Sequence, residues 1–149
     1  MTDRPSWMAP GRAQASTFIV VPDAMRAVNF AKHVFGATET SAPLFRKNGA
    51  LWNAELRIGD STIMFGDAQP GMERPGFVYV HVPDVDATYR KALAAGAKAI
   101  MEPEERFYGD RDGGVEDATG NLWWISTHTR DLTADEIAAG ARAQEEADA

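Results

Sequence analysis

Val21-Pro22-Asp23-Ala24 returns sixty-one residues later as Val82-Pro83-Asp84-Val85, and Phe35-Gly36-Ala37 returns sixty residues later as Ala95-Gly96-Ala97. In each copy a hydrophobic, strand-like run enters the motif, a segment of helical spacing follows, and a glycine closes it. The chain therefore reads as two units of one supersecondary type. Packing one copy against another creates a sheltered surface able to hold a ligand.

Outward from the first copy, residues 16–21 form a β-rich run. Asp23 is the predicted cap of the next helix, whose Ala24, Ala27, Val28, Ala31 and Val34 keep helical spacing until Gly36 stops it. Strands are expected at 39–45, 51–58 and 61–65, with Gly59-Asp60 turning the last two into a hairpin. Residues 67–75, rich in proline, glycine and charge, make the crossover. The second copy gives a strand at 77–82 and a helix at 84–95 with Val85, Tyr89 and Ala92 inward. Strands at 98–102, 114–116 and 122–127 follow, with a long glycine-rich loop between the first two. The unit read twice is βαβββ, an α+β arrangement.

The expected organisation is a flexible N-terminus (1–15), one domain over 16–128 made of modules 16–66 and 76–128 joined by linker 67–75, and a C-terminal helix with a polar tail over 129–149. Thr133 with Glu136 makes a capping box for that helix, and Leu132 with Ile137 a staple. A chain of 149 residues is long enough for a real core. The absence of cysteine excludes disulfides, thiol catalysis and thiolate-bound metals. A net charge of -7 without a Lys/Arg run speaks against nucleic acid and anionic lipid as partners. No stretch is apolar and long enough to span a bilayer, and residues 1–12, broken by charge and two prolines, do not resemble a secretory segment. A soluble cytoplasmic protein is the expectation.

Several longer phrases carry a family resemblance. They are Val21-Pro22-Asp23-Ala24 with Val34-Phe35-Gly36-Ala37, Ala54-Glu55-Leu56-Arg57-Ile58-Gly59-Asp60-Ser61, Asp84-Val85-Asp86-Ala87, Phe107-Tyr108-Gly109-Asp110-Arg111, Asp117-Ala118-Thr119-Gly120-Asn121-Leu122-Trp123 and Ser126-Thr127-His128. Together they resemble the vicinal oxygen chelate superfamily of glyoxalases, bleomycin-resistance proteins and dioxygenases, and more closely its PhnB-like branch. The resemblance implies two βαβββ modules forming curved mixed sheets around a cavity, commonly as a homodimer. Metal-using relatives converge His and carboxylate ligands on such a cavity. The glyoxalase ligand positions fall near Ser16, at Glu55, at Phe77 and at Trp124, so Glu55 is the only matched strong ligand. Asn53 stands where the branch often has histidine. No cofactor is expected, since one carboxylate does not assemble a typical metal centre.

Period-two geometry puts Asn53, Glu55 and Arg57 on one face, and Phe77, Tyr79 and His81 on another. Glu55 and His81 are the acid/base pair if the chain is an enzyme. The competing reading pairs Glu55 with Arg57 or another basic group and gives His81 a strand-end hydrogen bond. Arg111 either presents a fork to an anion or pairs with Asp110 or Asp117 to fix its loop. Trp123 and Trp124 should point to opposite faces. His33 and His128 are poor catalytic choices, one near a helix end and the other at the end of the last core strand.

The leading functional expectation is metal-independent, bleomycin-resistance-like binding of a small aromatic or amphipathic molecule. Trp52, Tyr79, Tyr108 and Trp124 would contact it, with Glu55 and Arg111 as polar anchors and Asn53, Arg57 and Phe77 lining the site. One alternative is a glyoxalase-like lyase or isomerase using Glu55 as base or metal ligand, a divalent metal site then being completed by Asn53 or His81. A structural or interaction protein without chemistry is the other. Whether the chain is an enzyme is left open by its residues.

Overall fold

The structure, a computed structural model, describes residues 4–149. It divides into two compact units, Met1–Gly76 and Phe77–Ala149, and among the described residues there are nine strands and three helices.

In the first unit β1 (Thr17–Val21) leads into α1 (Ala24–Phe35), followed by the short β2 (Thr38–Glu39) and β3 (Leu44–Phe45) and the long β4 (Leu51–Ile58) and β5 (Ser61–Asp67). The sheet order is β1-β5-β4-β2, with β3 also on β4. β1 runs parallel to β5, which is antiparallel to β4, so the sheet is mixed. The expected strand over 39–45 is instead two fragments flanking a bend, because Pro43 interrupts the ladder. The core lies between α1 and one sheet face: Ala24, Ala27, Val28 and Ala31 pack toward Ile19, Val21, Leu56 and Phe65, all buried. Those helical residues are the ones whose spacing marked the helix in the sequence.

Asp23 does not cap α1 with its side chain. Its backbone sits in the left-handed region at φ 53° and its carboxylate makes no capping bond. Asp67, at the end of β5, does that work from the other end of the module: Oδ1 accepts from the Ala24 N–H and Oδ2 from the Leu51 N–H, each at 2.7 Å. One carboxylate thereby satisfies an orphan donor of the helix and fixes the start of β4.

The second unit repeats the plan with β6 (Phe77–His81), α2 (Val85–Ala94), β7 (Lys98–Glu105), β8 (Asp110–Glu116), β9 (Leu122–His128) and, beyond the repeat, α3 (Ala134–Asp148). Its sheet order is β6-β9-β8-β7, with β6 parallel to β9. Val85, Tyr89 and Ala92 of α2 are buried, as are Val115, Trp123 and Ile125 on the strands. The long loop expected after residue 102 is a hairpin: β7 runs to Glu105 and β8 begins at Asp110. Gly109, at φ 95°, makes the turn, and a Cβ there would collide with the Arg130 carbonyl.

At the end of this unit the capping box forms as read, Thr133 Oγ1 accepting from the Glu136 N–H and Glu136 reaching back to the Thr133 N–H. No residue of α3 is buried. No helix among the described residues is long and apolar enough to cross a membrane. The expected flexible segment 1–15 lies partly outside the described residues, at 1–3, and its Gly11 and Arg12 are bonded to β4 as set out below.

Candidate functional site

Each unit turns one sheet face to its helix and leaves the opposite face for chemistry. In the first unit strand alternation sends Ala54 and Leu56 toward the core, and Asn53, Glu55 and Arg57 to the open face. The register sets Met64 beside Glu55 on one side and beside Phe18 on the other. Glu55 is buried, and its Oε2 takes the Arg12 guanidinium at 2.6–2.8 Å. Arg57 in turn donates to the Gly11 carbonyl. The pairing of Glu55 with a basic group is therefore real, but the partner is Arg12 and not Arg57.

Arg57, two positions along the same face, is itself held by the segment before β1.

Beside that pair is a cavity of about 430 Å³, walled by Phe18, Trp52, Met64 and Met72 and edged by Arg12, Arg46 and Asn53. Gly66 forms part of its lining. A Cβ there would come to 3.2 Å from the Phe18 ring and 3.1 Å from the Trp52 carbonyl, so the bare backbone keeps this space open. Trp52 is 58% exposed, and the Arg46 guanidinium lies 4.1 Å over its ring. That is a cation–π contact at the mouth of an apolar hollow.

The open face of the second unit is built differently. Tyr79 and His81 on β6, Trp124, Ser126 and His128 on β9, and Asp110 and Asp112 on β8 share it by alternation and register. Asp110 Oδ2 accepts from the Tyr79 hydroxyl at 2.6 Å and from Ser126 at 2.9 Å, while Oδ1 faces His128 Nδ1 at 2.8 Å. His81 Nε2 stands 3.4 Å from Oδ2. Burial alone would push this carboxyl up, but the bonds from Tyr79, His128 and Ser126 outweigh it and hold it down at about 2.

Asp112 is fully buried and receives Arg106 Nε at 2.9 Å, Trp124 Nε1 at 3.3 Å and the Tyr108 hydroxyl. Burial, then the bonds to these carboxylates, push Tyr79 above the ordinary phenol range and Tyr108 up to about 12. Both phenols therefore stay neutral donors committed to Asp110 and Asp112. What they offer a ligand is ring surface.

Trp124 lies flat on Gly114, where a Cβ would strike its ring, and stacks on Phe77 at 5.5 Å between centroids. Trp123 faces the other way, wholly buried, with its indole N–H on Asp117 at 2.8 Å. The opposite orientation of the two tryptophans follows from the pleat, as expected. Arg111 pairs with neither Asp110 nor Asp117. Alternation puts it on the helix side of β8, where both Nε and Nη2 donate to Asp86 of α2 at 2.9 Å.

The structure thus places Phe77, Tyr79, His81, Tyr108 and Trp124 together in the second unit. Trp52, Asn53, Glu55 and Arg57 belong to the first, and Arg111 lies on a helix-facing surface. From the sequence, His128 is set aside as a poor catalytic choice, Asp110 is considered only as a partner for Arg111, and Asp112 and Ser126 are given no site role. Their signal was present as period-two repeats, Asp110/Asp112 and Trp124/Ser126/His128. It was hidden because β8 was expected to begin at Gly114, which left both aspartates in a loop.

The metal implied by the glyoxalase resemblance does not fit this donor set. Of its four positions only Glu55 carries a strong ligand, and that carboxylate already holds a guanidinium. Among the described residues no group of three His, Cys, Asp or Glu is arranged to hold an ion.

Comparison with known proteins agrees with the architecture. An uncharacterized protein of Mycobacterium bovis is 33% identical over 141 residues, covering 87% of this chain and 92% of that protein. The fold is similar to that of TioX from Micromonospora sp. ML1, with 24% identity, a TM-score of 0.59 and coverage of 76% and 98% of the two chains. It is also similar to that of the fosfomycin resistance protein FosX from Mesorhizobium loti, with 18% identity, a TM-score of 0.59 and coverage of 87% and 98%. The family model for the glyoxalase/bleomycin resistance protein/dioxygenase superfamily matches residues 13–125, and to that superfamily the chain belongs.

Proposed function

We propose that this protein binds a small amphipathic molecule, without a metal, in the cavity of its first unit. The observation carrying this reading is the hollow of about 430 Å³, large enough for a drug-sized compound, with apolar walls and two guanidinium groups at its edge. An aromatic or aliphatic body packs against Phe18, Met64 and Trp52. An acidic or polar group turns to Arg46, which releases or shares its contact with the Trp52 ring. Two of the structural relatives are named for fosfomycin resistance, which is consistent with small-molecule recognition on this fold. Glu55 contributes by holding Arg12 at the cavity edge, and acts as neither base nor metal ligand. Assembly as a homodimer is the family expectation, tested by sedimentation.

The probe is 8-anilinonaphthalene-1-sulfonate, which joins an aromatic body to an anion. Saturable binding at one site per chain is expected, weakened about tenfold by Trp52→Ala, the loss of one aromatic wall. Trp52 is mostly exposed, so that variant keeps its fold. Absent saturation, or the same affinity in Trp52→Ala, would refute the assignment.

A further inference from the structure

The second unit carries a separate arrangement that the cavity of the first does not use. His81 ends β6 with its side chain 61% exposed, while the carboxylate facing it is 11% exposed. Tyr79, Ser126 and His128 hold that carboxylate on three sides. A mobile exposed imidazole is a poor catalyst; one oriented by a fixed buried anion is a common acid–base device. His81 also meets the Tyr79 ring edge-on, 5.3 Å between centroids, so both a carboxylate and an aromatic wall restrict the imidazole.

His81 Nε2 stands at an ion-pair distance from the Asp110 carboxylate, and the tautomer that turns its N–H there leaves the lone pair on Nδ1, for which no hydrogen bond is found among the described residues. Next to His81 on the same face is an aromatic strip, Tyr79, Trp124 and Phe77, with Phe77 64% and Tyr79 43% exposed. The phenol of Tyr79 and the indole N–H of Trp124 are turned back to the aspartates, so the strip offers ring faces and edges. Two strand positions span about 7 Å, the length of a fused two-ring molecule lying over Tyr79 with its edge at His81.

We propose that His81 is a general base for planar, conjugated substrates bearing an acidic C–H or O–H, with Asp110 as its positioning residue. His81 Nδ1 takes the proton, the electron pair stays with the substrate, and the imidazolium so formed is stabilised by the Asp110 carboxylate. The proton then returns to the substrate at another atom or passes to water. No oxidant or metal enters.

The probe is 5-nitrobenzisoxazole, a fused two-ring C–H acid. Removal of its C3 proton forms the nitrile and breaks the N–O bond, releasing a coloured phenolate. The intact protein is expected to turn it over with saturation. His81→Gln should lower kcat about 100-fold, the scale of general-base catalysis, while His33→Gln, on the exposed side of α1, leaves it unchanged. Asp110→Asn should lower kcat about tenfold with KM unchanged, and a change in KM alone would make its role structural and overturn the positioning assignment. Turnover by His81→Gln at the wild-type rate, or no turnover above buffer by the wild type, would overturn the proposal. Trp52→Ala tests the first unit and His81→Gln the second, each with its own probe, so failure of one assignment is distinguishable from failure of the other.

Discussion

Replacing Asp110 with Asn removes the charge on which the polar network of the second unit converges and keeps the side chain's shape. The carboxyl is held from its ordinary 3.8 down to about 2, a preference for the charged form equal to roughly 2 kcal/mol of stability near neutral pH. The variant loses that term. It also turns an amide N–H₂ toward one set of donors, either His128 or the Tyr79 and Ser126 hydroxyls, leaving a buried hydrogen bond unmade at roughly 1–2 kcal/mol. The expected total is about 2–4 kcal/mol, or a fall in Tm of about 5–12 °C for a chain of this size.

Urea unfolding at pH 7, followed by circular dichroism and tryptophan emission, measures the loss. The sign of the pH dependence gives a second check. A depressed carboxyl contributes stability that is present above about 3.8 and disappears as pH falls toward about 2. Wild type should lose this increment over that range, and the two proteins should converge at its acid end. A loss under about 0.5 kcal/mol at pH 7, with parallel acid limbs, would refute the account of Asp110 as a charge-assisted hub.

Other expectations follow from the same contacts. His128, bonded to Asp110 and Asp131, titrates above its ordinary value because those bonds favour the imidazolium. Its contribution is complete below about pH 6.5 and fades as pH rises through the folded-state value, so NMR titration of its ring protons should show an upward shift that Asp131→Asn reduces. Gly114→Ala forces the Trp124 ring off β8, at about 1–3 kcal/mol with a shift in tryptophan emission. Asp67→Ala removes the bonds to the Ala24 and Leu51 N–H groups and should cost about 1–2 kcal/mol by denaturant unfolding, with earlier amide exchange in the first turn of α1.

Legibility in the sequence varied with the range of the interaction. The helices were readable because Ala24, Ala27, Val28, Ala31 and Val34, like Val85, Tyr89 and Ala92, pack along single faces. The capping box, the Gly59 turn and the divergence of Trp123 from Trp124 are likewise local consequences of backbone geometry. Contacts between distant segments were not readable. Asp67 replaces Asp23 as the α1 cap across forty-three residues, Arg12 reaches Glu55 across the same separation, and Asp86 takes Arg111 from the neighbouring helix. The polar face of the second unit was missed through a strand boundary. Once Asp110 and Asp112 are on a strand, alternation brings them to the face of Ser126 and His128.

In both units the opening strand lies parallel to the closing one, Thr17 beside Ile63 and Phe77 beside Leu122. This has a consequence for synthesis. A ribosome-bound chain ending before Ser61 has made β1 and α1 but not the strand against which β1 is laid, so neither sheet can be zipped up progressively from its beginning. Each must wait for its final strand and then close across the whole module, a non-local step of the kind that slows folding. The first module has all its strands once Asp67 has emerged. The second gains its last one at His128, leaving α3 to be made after both ladders are available.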